Sequence, residues 1–167
     1  MSTRGFIGYK KNGIIKGWYN HNDSYYSYVG LKVLEKFNNN SSIILDNFFT
    51  KNLKLYDDEK FYENHKKVFS LNWKTDSIKL EVYNDFLDDG LDCEYGYVFN
   101  LDEDIVEVYR GGFKIEQYNG QQGYSGYYTH NTFNITRKNI ENVKKIFNKI
   151  KINNNSTRYW ERDFLEI

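Results

Sequence analysis

The chain contains no proline, no alanine and one cysteine, Cys93. A single thiol excludes a disulfide framework and a cysteine-based zinc site. Cys93 lies between Asp92 and Glu94. Acidic neighbours disfavour the thiolate, so Cys93 reads as a structural residue and not as a nucleophile. Charge of one sign is also missing, because 23 Lys and Arg balance 23 Asp and Glu. A net charge of zero argues against binding extended nucleic acid or a membrane surface, which calls for a basic excess. Nowhere does an apolar run approach the roughly 18 residues of a membrane span. Arg4, Lys10 and Lys11 interrupt the first stretch, which therefore does not read as a secretory signal. The expectation is a soluble cytoplasmic protein. The lack of Ala and Pro goes with abundant Asn, Lys, Ile and Tyr. That codon bias is the mark of an AT-rich genome.

What is present fits a single α+β domain spanning residues 1–167, with an antiparallel sheet and about three packed helices. Aromatic residues make up 19% of the chain, including sixteen tyrosines. Tyrosine offers a flat apolar ring with a polar tip, which suits both sheet faces and ligand pockets.

The element pattern starts with a hairpin. Gly5–Tyr9 and Ile14–Tyr19 flank Lys11-Asn12-Gly13, and Asn-Gly accepts the positive φ of a type I′ turn. Val29, Val33, Leu34 and Phe37 have helical spacing, and Asn38–Asn40 ends that segment. Ser42–Phe49 fits strand or helix. Asp57–Ser70 reads as a helix with acids at its start and lysines near its end. Ser77–Tyr83 alternates as a strand with one wet face. Phe86–Asp92 is an acidic turn. Tyr95–Asn100 and Ile105–Arg110 form the clearest strand pair. Gly111-Gly112 suggests a bend or bulge before Phe113–Tyr118, and Asn119–Gly126 suggests a mobile loop. Thr136 is placed to cap a helix over Arg137–Lys151, with Ile140, Val143, Phe147 and Ile150 on one stripe. Thr157–Ile167 reads as a final strand or docking segment.

The densest polar cluster, Tyr19-Asn20-His21-Asn22-Asp23-Ser24-Tyr25, directly follows a strand. Three readings are open for it. In one, His21, Asp23 and Ser24 act as base, orienter and nucleophile. In another, Asp23 caps the following segment. In the third, the loop contacts a ligand through His21 and Asp23, with Tyr19 or Tyr25 as a stacking face. His21, His65 and His130 lack the spacing of a metal motif, so no metal site is expected. The Gly-rich stretches lack the Gly-Lys-Ser/Thr ending of a phosphate loop, and no cofactor is expected. The run from Gly123 to Tyr128 reads either as an aromatic lid, with Tyr124 over a ligand, or as an ordinary surface loop. Arg4 and Arg110 are two of five arginines. Their forks suit an anionic ligand if they converge, and structural salt bridges if they do not.

Two blocks of residues resemble a known family. The first runs Thr3-Arg4-Gly5-Phe6-Ile7-Gly8, then Tyr19-Asn20-His21, Asp23-Ser24-Tyr25 and Gly30. The second is Cys93–Asp102 followed by Val106–Gly111. They are similar to an uncharacterised family of small phage and low-GC bacterial proteins with the pattern T-R-G-x-x-G, then Y-N-H-x-D-S-Y-P-x-x-x-G. The blocks cover about a third of the chain, and Tyr26 stands where the family usually has proline. The resemblance carries no activity. It implies a phage or prophage setting.

The leading expectation is a non-enzymatic, possible homo-oligomeric binder. It would sequester a small anionic ligand such as a nucleotide immune signal of the host. Aromatic faces would hold a base and arginines its phosphates. The expected contacts are Arg4, Tyr19, His21, Asp23, Tyr25, Arg110 and Tyr124. Two alternatives stand beside it. One is an N-terminal-nucleophile amidohydrolase using Ser2 after removal of Met1. The other is a protein–protein inhibitor of a host enzyme.

Overall fold

The computed structural model describes residues 3–54, 65–83, 94–118 and 121–150. β1 (Gly5–Lys11) and β2 (Ile14–Asn20) form the expected hairpin. Asn12 and Gly13 take φ of +52° and +76°, the left-handed pair that a two-residue turn of this type demands. The Asp102 carboxylate accepts from both turn amides, at 2.8 and 3.0 Å. Those two bonds hold its pKa below the ordinary aspartate value.

A wide π-helical turn, Tyr26–Gly30, leads into α1 (Leu31–Asn39). Its last carbonyls meet Arg137, whose Nη1 donates to Phe37 O at 2.6 Å and Nη2 to Asn40 O at 3.0 Å. α2 (Ser42–Asn52) follows, with Ser41 as its cap. The ambiguous Ser42–Phe49 run is therefore helical. Leu45, Phe48, Phe49 and Asn52 are buried at the i, i+3, i+4, i+7 spacing of one helix face, and Ile43 is left in solvent. β3 (Leu53–Lys54) pairs in parallel with β4 (Leu80–Glu81). Only Leu80–Glu81 of the alternating Ser77–Tyr83 segment is strand. α3 spans His65–Ser70. The earlier part of the expected Asp57–Ser70 helix, the whole Phe86–Asp92 turn and the Thr157–Ile167 tail lie outside the described residues.

β5 (Tyr95–Asn100), β6 (Ile105–Tyr118) and β7 (Gln121–Ile135) complete a five-stranded sheet in the order β2-β1-β5-β6-β7. The fold class is α+β as the sequence implies. The sheet is mixed and not wholly antiparallel, because β1 and β5 run parallel. That pairing joins strands far apart in sequence, so no local pattern announces it. β6 runs straight through Gly111-Gly112, and its register shifts fall at Val108/Tyr109 and Phe113/Ile115. The stretch read as a mobile loop is largely strand, since β7 pairs with β6 from Gln121 onward. Gly and Gln are poor strand formers alone, but the partner strand overrides propensity. α4 (Ile140–Ile150) carries the expected stripe of Ile140, Val143 and Phe147. Thr136 Oγ1 accepts from Asn139 N while Asn139 Oδ1 accepts from Thr136 N, so the pair closes the turn ahead of the helix. Among the described residues no helix is long and apolar enough to cross a membrane.

The helices cover one sheet face. Ile7, Trp18, Tyr97, Phe99, Val106 and Val108 lie in one core with Val33, Phe37, Phe49, Trp73, Val143 and Phe147. Phe48 stacks on Trp73 at 4.1 Å with the rings 2° from parallel. Much of the aromatic excess is therefore core material, including Tyr26, Tyr95 and Tyr97. On the opposite face the Phe6 ring lies against the facing glycines Gly8 and Gly17, and Glu107 is buried. Glu107 Oε1 accepts from Asn100 Nδ2 at 2.7 Å and Lys10 Nζ at 3.4 Å, and its Oε2 accepts from Tyr109 Oη. One carboxylate thus ties β1, β5 and β6 together.

Burial first, and the Glu107 carboxylate second, push the Tyr109 phenol above its ordinary value of 10.0. Burial likewise raises the Tyr97 phenol well above its ordinary value. Above pH 10 the unfolded chain releases these protons and the native chain keeps them, so the native state binds more protons there. Linkage then lowers stability as pH rises beyond about 10 and leaves this contribution flat below about 9. Urea midpoints at pH 8, 9, 10 and 11 check this. Tyr109→Phe should flatten the alkaline fall, and an unchanged slope would contradict it.

Candidate functional site

The strand register lines up one row of residues across the sheet, level with the starts of β1 and β5. Asn20 on β2 pairs with Gly5 on β1, Gly5 with Tyr95 on β5, Tyr95 with Arg110 on β6, and Arg110 with His130 on β7. The Asn20–Tyr25 loop leaves the sheet at the same end.

The loop is pinned from several sides. Ser24 N donates to Thr3 O at 3.0 Å, and Tyr97 Oη donates to Ser24 O at 2.7 Å. Asn20 Nδ2 donates to Ser24 Oγ at 2.7 Å and to Asn22 O. Gly5 makes room for this arrangement, since a Cβ there would sit 2.6 Å from both Ser24 Cβ and Tyr95 O. Asp23 takes φ of +56°, a conformation that disfavours most L side chains but that Asp tolerates.

These contacts settle one of the loop readings. Ser24 is fully buried and its hydroxyl is engaged with Asn20, while His21 is exposed and its ring lies 6.2 Å from that of Tyr19. The His21–Asp23–Ser24 chain of a nucleophilic triad is not assembled. Tyr25 stands at the start of the next segment and makes no side-chain cap bond of its own. The Asp23 carbonyl accepts from Val29 N at 3.3 Å.

The two arginines meet around Glu94. Arg4 N donates to Glu94 Oε2 at 3.0 Å, and Arg4 O accepts from Glu94 N and Tyr95 N. Arg110 lays its guanidinium on the Tyr95 ring, 4.0 Å from the centroid, and its Nη1 donates to Glu94 O at 3.4 Å. Arg110 is thus held against an aromatic face by a cation–π contact and one hydrogen bond. Arg4 precedes Gly5 by one residue, so strand alternation puts it out of step with the row that Gly5, Tyr95 and Arg110 share.

Tyr25 meets Tyr28 edge-on at 4.9 Å, and its hydroxyl donates to Asp23 Oδ1 at 3.5 Å. Burial first, then the Asp23 charge, raises the Tyr25 phenol above its ordinary value. Tyr19 lies on the far face beside Phe6 and Tyr83. Tyr124 is not on a loop over the row; it pairs with Ile115 further along β7. The sequence reading omitted Asn20, Glu94, Tyr95 and His130 as site residues. Their place follows from strand pairing across the sheet, and no local motif carries it. Two buried polar atoms near this end, Asn20 Oδ1 and Thr129 Oγ1, have no hydrogen-bond partner among the described residues. Among the described residues, no group of three His, Cys, Asp or Glu side chains is arranged to hold a metal ion.

No family model matches the chain, and no curated protein or solved structure matches it.

Backbone strain and close packing separate in two substitutions. Asp23→Gly relieves the left-handed backbone and should leave stability unchanged or raise it by up to about 1 kcal/mol. Gly5→Ala drives a methyl into Ser24 and the Tyr95 carbonyl and should cost about 1–3 kcal/mol. At about 2–4 °C per kcal/mol for a chain of this size, a thermal melt resolves the difference. A Gly5→Ala protein as stable as the parent would contradict the close approach.

Proposed function

We propose that this protein binds a small anionic, nucleotide-like ligand at the Asn20–Arg110 end of the sheet and does not transform it. The observation that carries the reading is Arg110. Its guanidinium is pre-set on the Tyr95 ring at the edge of the pinned Asn20–Tyr25 loop. A guanidinium held in one orientation gives up little freedom when it meets a phosphate or carboxylate. Tyr25 and Tyr28, which meet edge-on at the end of the loop, offer ring faces suited to a base. The loop's one hydroxyl nucleophile, Ser24, is buried and engaged, which supports binding over hydrolysis. The resemblance to phage proteins supplies a setting for such a binder: capture of a nucleotide immune signal in a bacterial host.

A thermal-shift series with mononucleotides, cyclic nucleotides and ribose 5-phosphate tests this. A ligand at one hundred times its dissociation constant adds about 2.7 kcal/mol, a shift of several degrees. Arg110→Ala should weaken binding at least about tenfold, and Arg110→Lys should recover part of it as a charge without the fork. The ligand should be recovered unchanged by chromatography. Consumption of the ligand, or binding indifferent to Arg110, would overturn the reading.

A further inference from the structure

A cavity of about 470 Å³ opens where the end of α1 meets the start of α2 and the turn after α3. Its walls include Lys36, Asn39, Ile44, Leu71, Asn72 and Lys74, and no carboxylate lines it among the described residues. Two neighbouring cavities are balanced in charge. Lys32 and Lys144 share one with Glu35 and Glu141, and in the other Arg137 pairs with Asp104 at 2.9 Å. The Lys36 cavity carries two cations and no counter-charge.

Lys36 is half-buried and Lys74 exposed. Lys36 Nζ donates to Leu71 O at 2.6 Å and stands 5.5 Å from the centre of the Trp73 ring. An ammonium has three N–H donors, so one hydrogen bond leaves two. Neither lysine makes an ion pair among the described residues. A charge withdrawn from water is normally paired. Burial lowers the Lys36 pKa below its ordinary value, against the pull of Glu35 and Asp76 and with Lys32 adding to it. Its charge is therefore under-compensated where it stands. Backbone carbonyls at these helix ends would repel an anion, but they already have donors. Lys36 serves Leu71 O, Asn40 Nδ2 donates to Lys36 O at 2.8 Å, and Arg137 donates to Phe37 O and Asn40 O. Asn72 Oδ1 accepts from Lys74 N at 3.0 Å, which leaves the amide's other end as a donor.

We propose that this cavity binds an organic phosphate monoester, its dianion held between Lys36 and Lys74. Two ammonium groups match the roughly −1.5 to −2 charge of a monoester near neutral pH. The volume calls for an organic body. It falls in the range of about 300–1,000 Å³ usual for small-molecule sites, and a bare phosphate, the size of a few waters at about 30 Å³ each, would fill little of it. Ile44 and Leu71 supply an apolar wall for that body. The cavity is open as it stands and both lysines already line it, so no rearrangement precedes binding. Arg137 ties Asn40 to Asp104 in the β5–β6 turn, at the opposite end of the sheet from Arg110. The site is thus separate from the Arg110 end and independent of the reading given for it.

Amide chemical-shift titration of the full chain with phenyl phosphate, inorganic phosphate and phenol tests this, because each end of the sheet is read at its own residues. Phenyl phosphate should give saturable shifts at 36, 39–44 and 71–74. Inorganic phosphate should bind there at least about threefold more weakly for want of the apolar body, and phenol should leave these residues unmoved. Lys36→Met keeps the apolar stem, removes the charge and should weaken phenyl phosphate at least about tenfold. Lys74→Met leaves the Lys36–Leu71 bond in place and should weaken it about two- to fivefold. A thermal melt checks that each variant is folded. No saturable shift at these residues, shifts indifferent to both lysines, or phenol binding as well as phenyl phosphate would overturn the proposal.

Discussion

The parallel ladder between β1 and β5 sets Gly5 beside Tyr95 and Lys10 beside Asn100. Each strand then carries its own antiparallel partner outward, β2 on one side and β6 with β7 on the other. Because both central strands start at the same end, the exit of β2 and the Arg110 region of β6 come to that end as well. The row from Asn20 to His130 exists only while this ladder holds. Its other end is held by the Glu107 carboxylate, which joins Lys10, Asn100 and Tyr109 across three strands. Removing one member of such a buried network leaves the others unsatisfied, so the polar core acts as a register lock.

The close approach at Gly5 depends on the same ladder. With Tyr95 O on one side and Ser24 on the other, the position has no room for a Cβ. The missing side chain lets the Asn20–Tyr25 loop fold down against the start of β1, where the Tyr97 hydroxyl donates to Ser24 O. Tyr97 belongs to the hydrophobic core and to the loop at once, so packing of the helices is coupled to the geometry of the loop. A polar loop on a sheet end would ordinarily be soft. Here its middle is anchored by one buried phenol and one buried amide.

Local patterns in the sequence conveyed the elements whose signals are local. Asn12-Gly13 marked the hairpin, the Tyr95–Asn100 and Ile105–Arg110 pair was legible from alternation, and the stripe through Phe147 marked α4. The segment before Asn52 was ambiguous because its apolar residues occupy more than one helix face, with Ile43 exposed and Leu45 buried. β7 was hidden by its Gly and Gln content, since its strand state comes from the partner strand and not from its own residues. The loop was legible as a polar cluster. Its internal division was not, because nothing local says that Ser24 is buried while His21 is exposed. Arg4 and Arg110 could be named from the sequence, but their common link through Glu94 depends on the parallel crossover.

The tyrosine excess divides in the same way. Tyr97 and Tyr26 are core residues, Tyr109 serves the Glu107 network, and Tyr95 is a platform whose upper face carries Arg110. Tyr25 and Tyr28 meet edge to face beside the loop, with Tyr28 in solvent. Composition alone weights these rings equally. Burial separates them: a ring enclosed by Phe147 and Phe133, as Tyr26 is, has no face left to offer, whereas Tyr28 keeps one. The chemistry available at this end is therefore that of an oriented guanidinium, a fixed amide acceptor, a carboxylate and a pair of phenols. Groups of these kinds can hold a polar or charged partner by shape and hydrogen bonding.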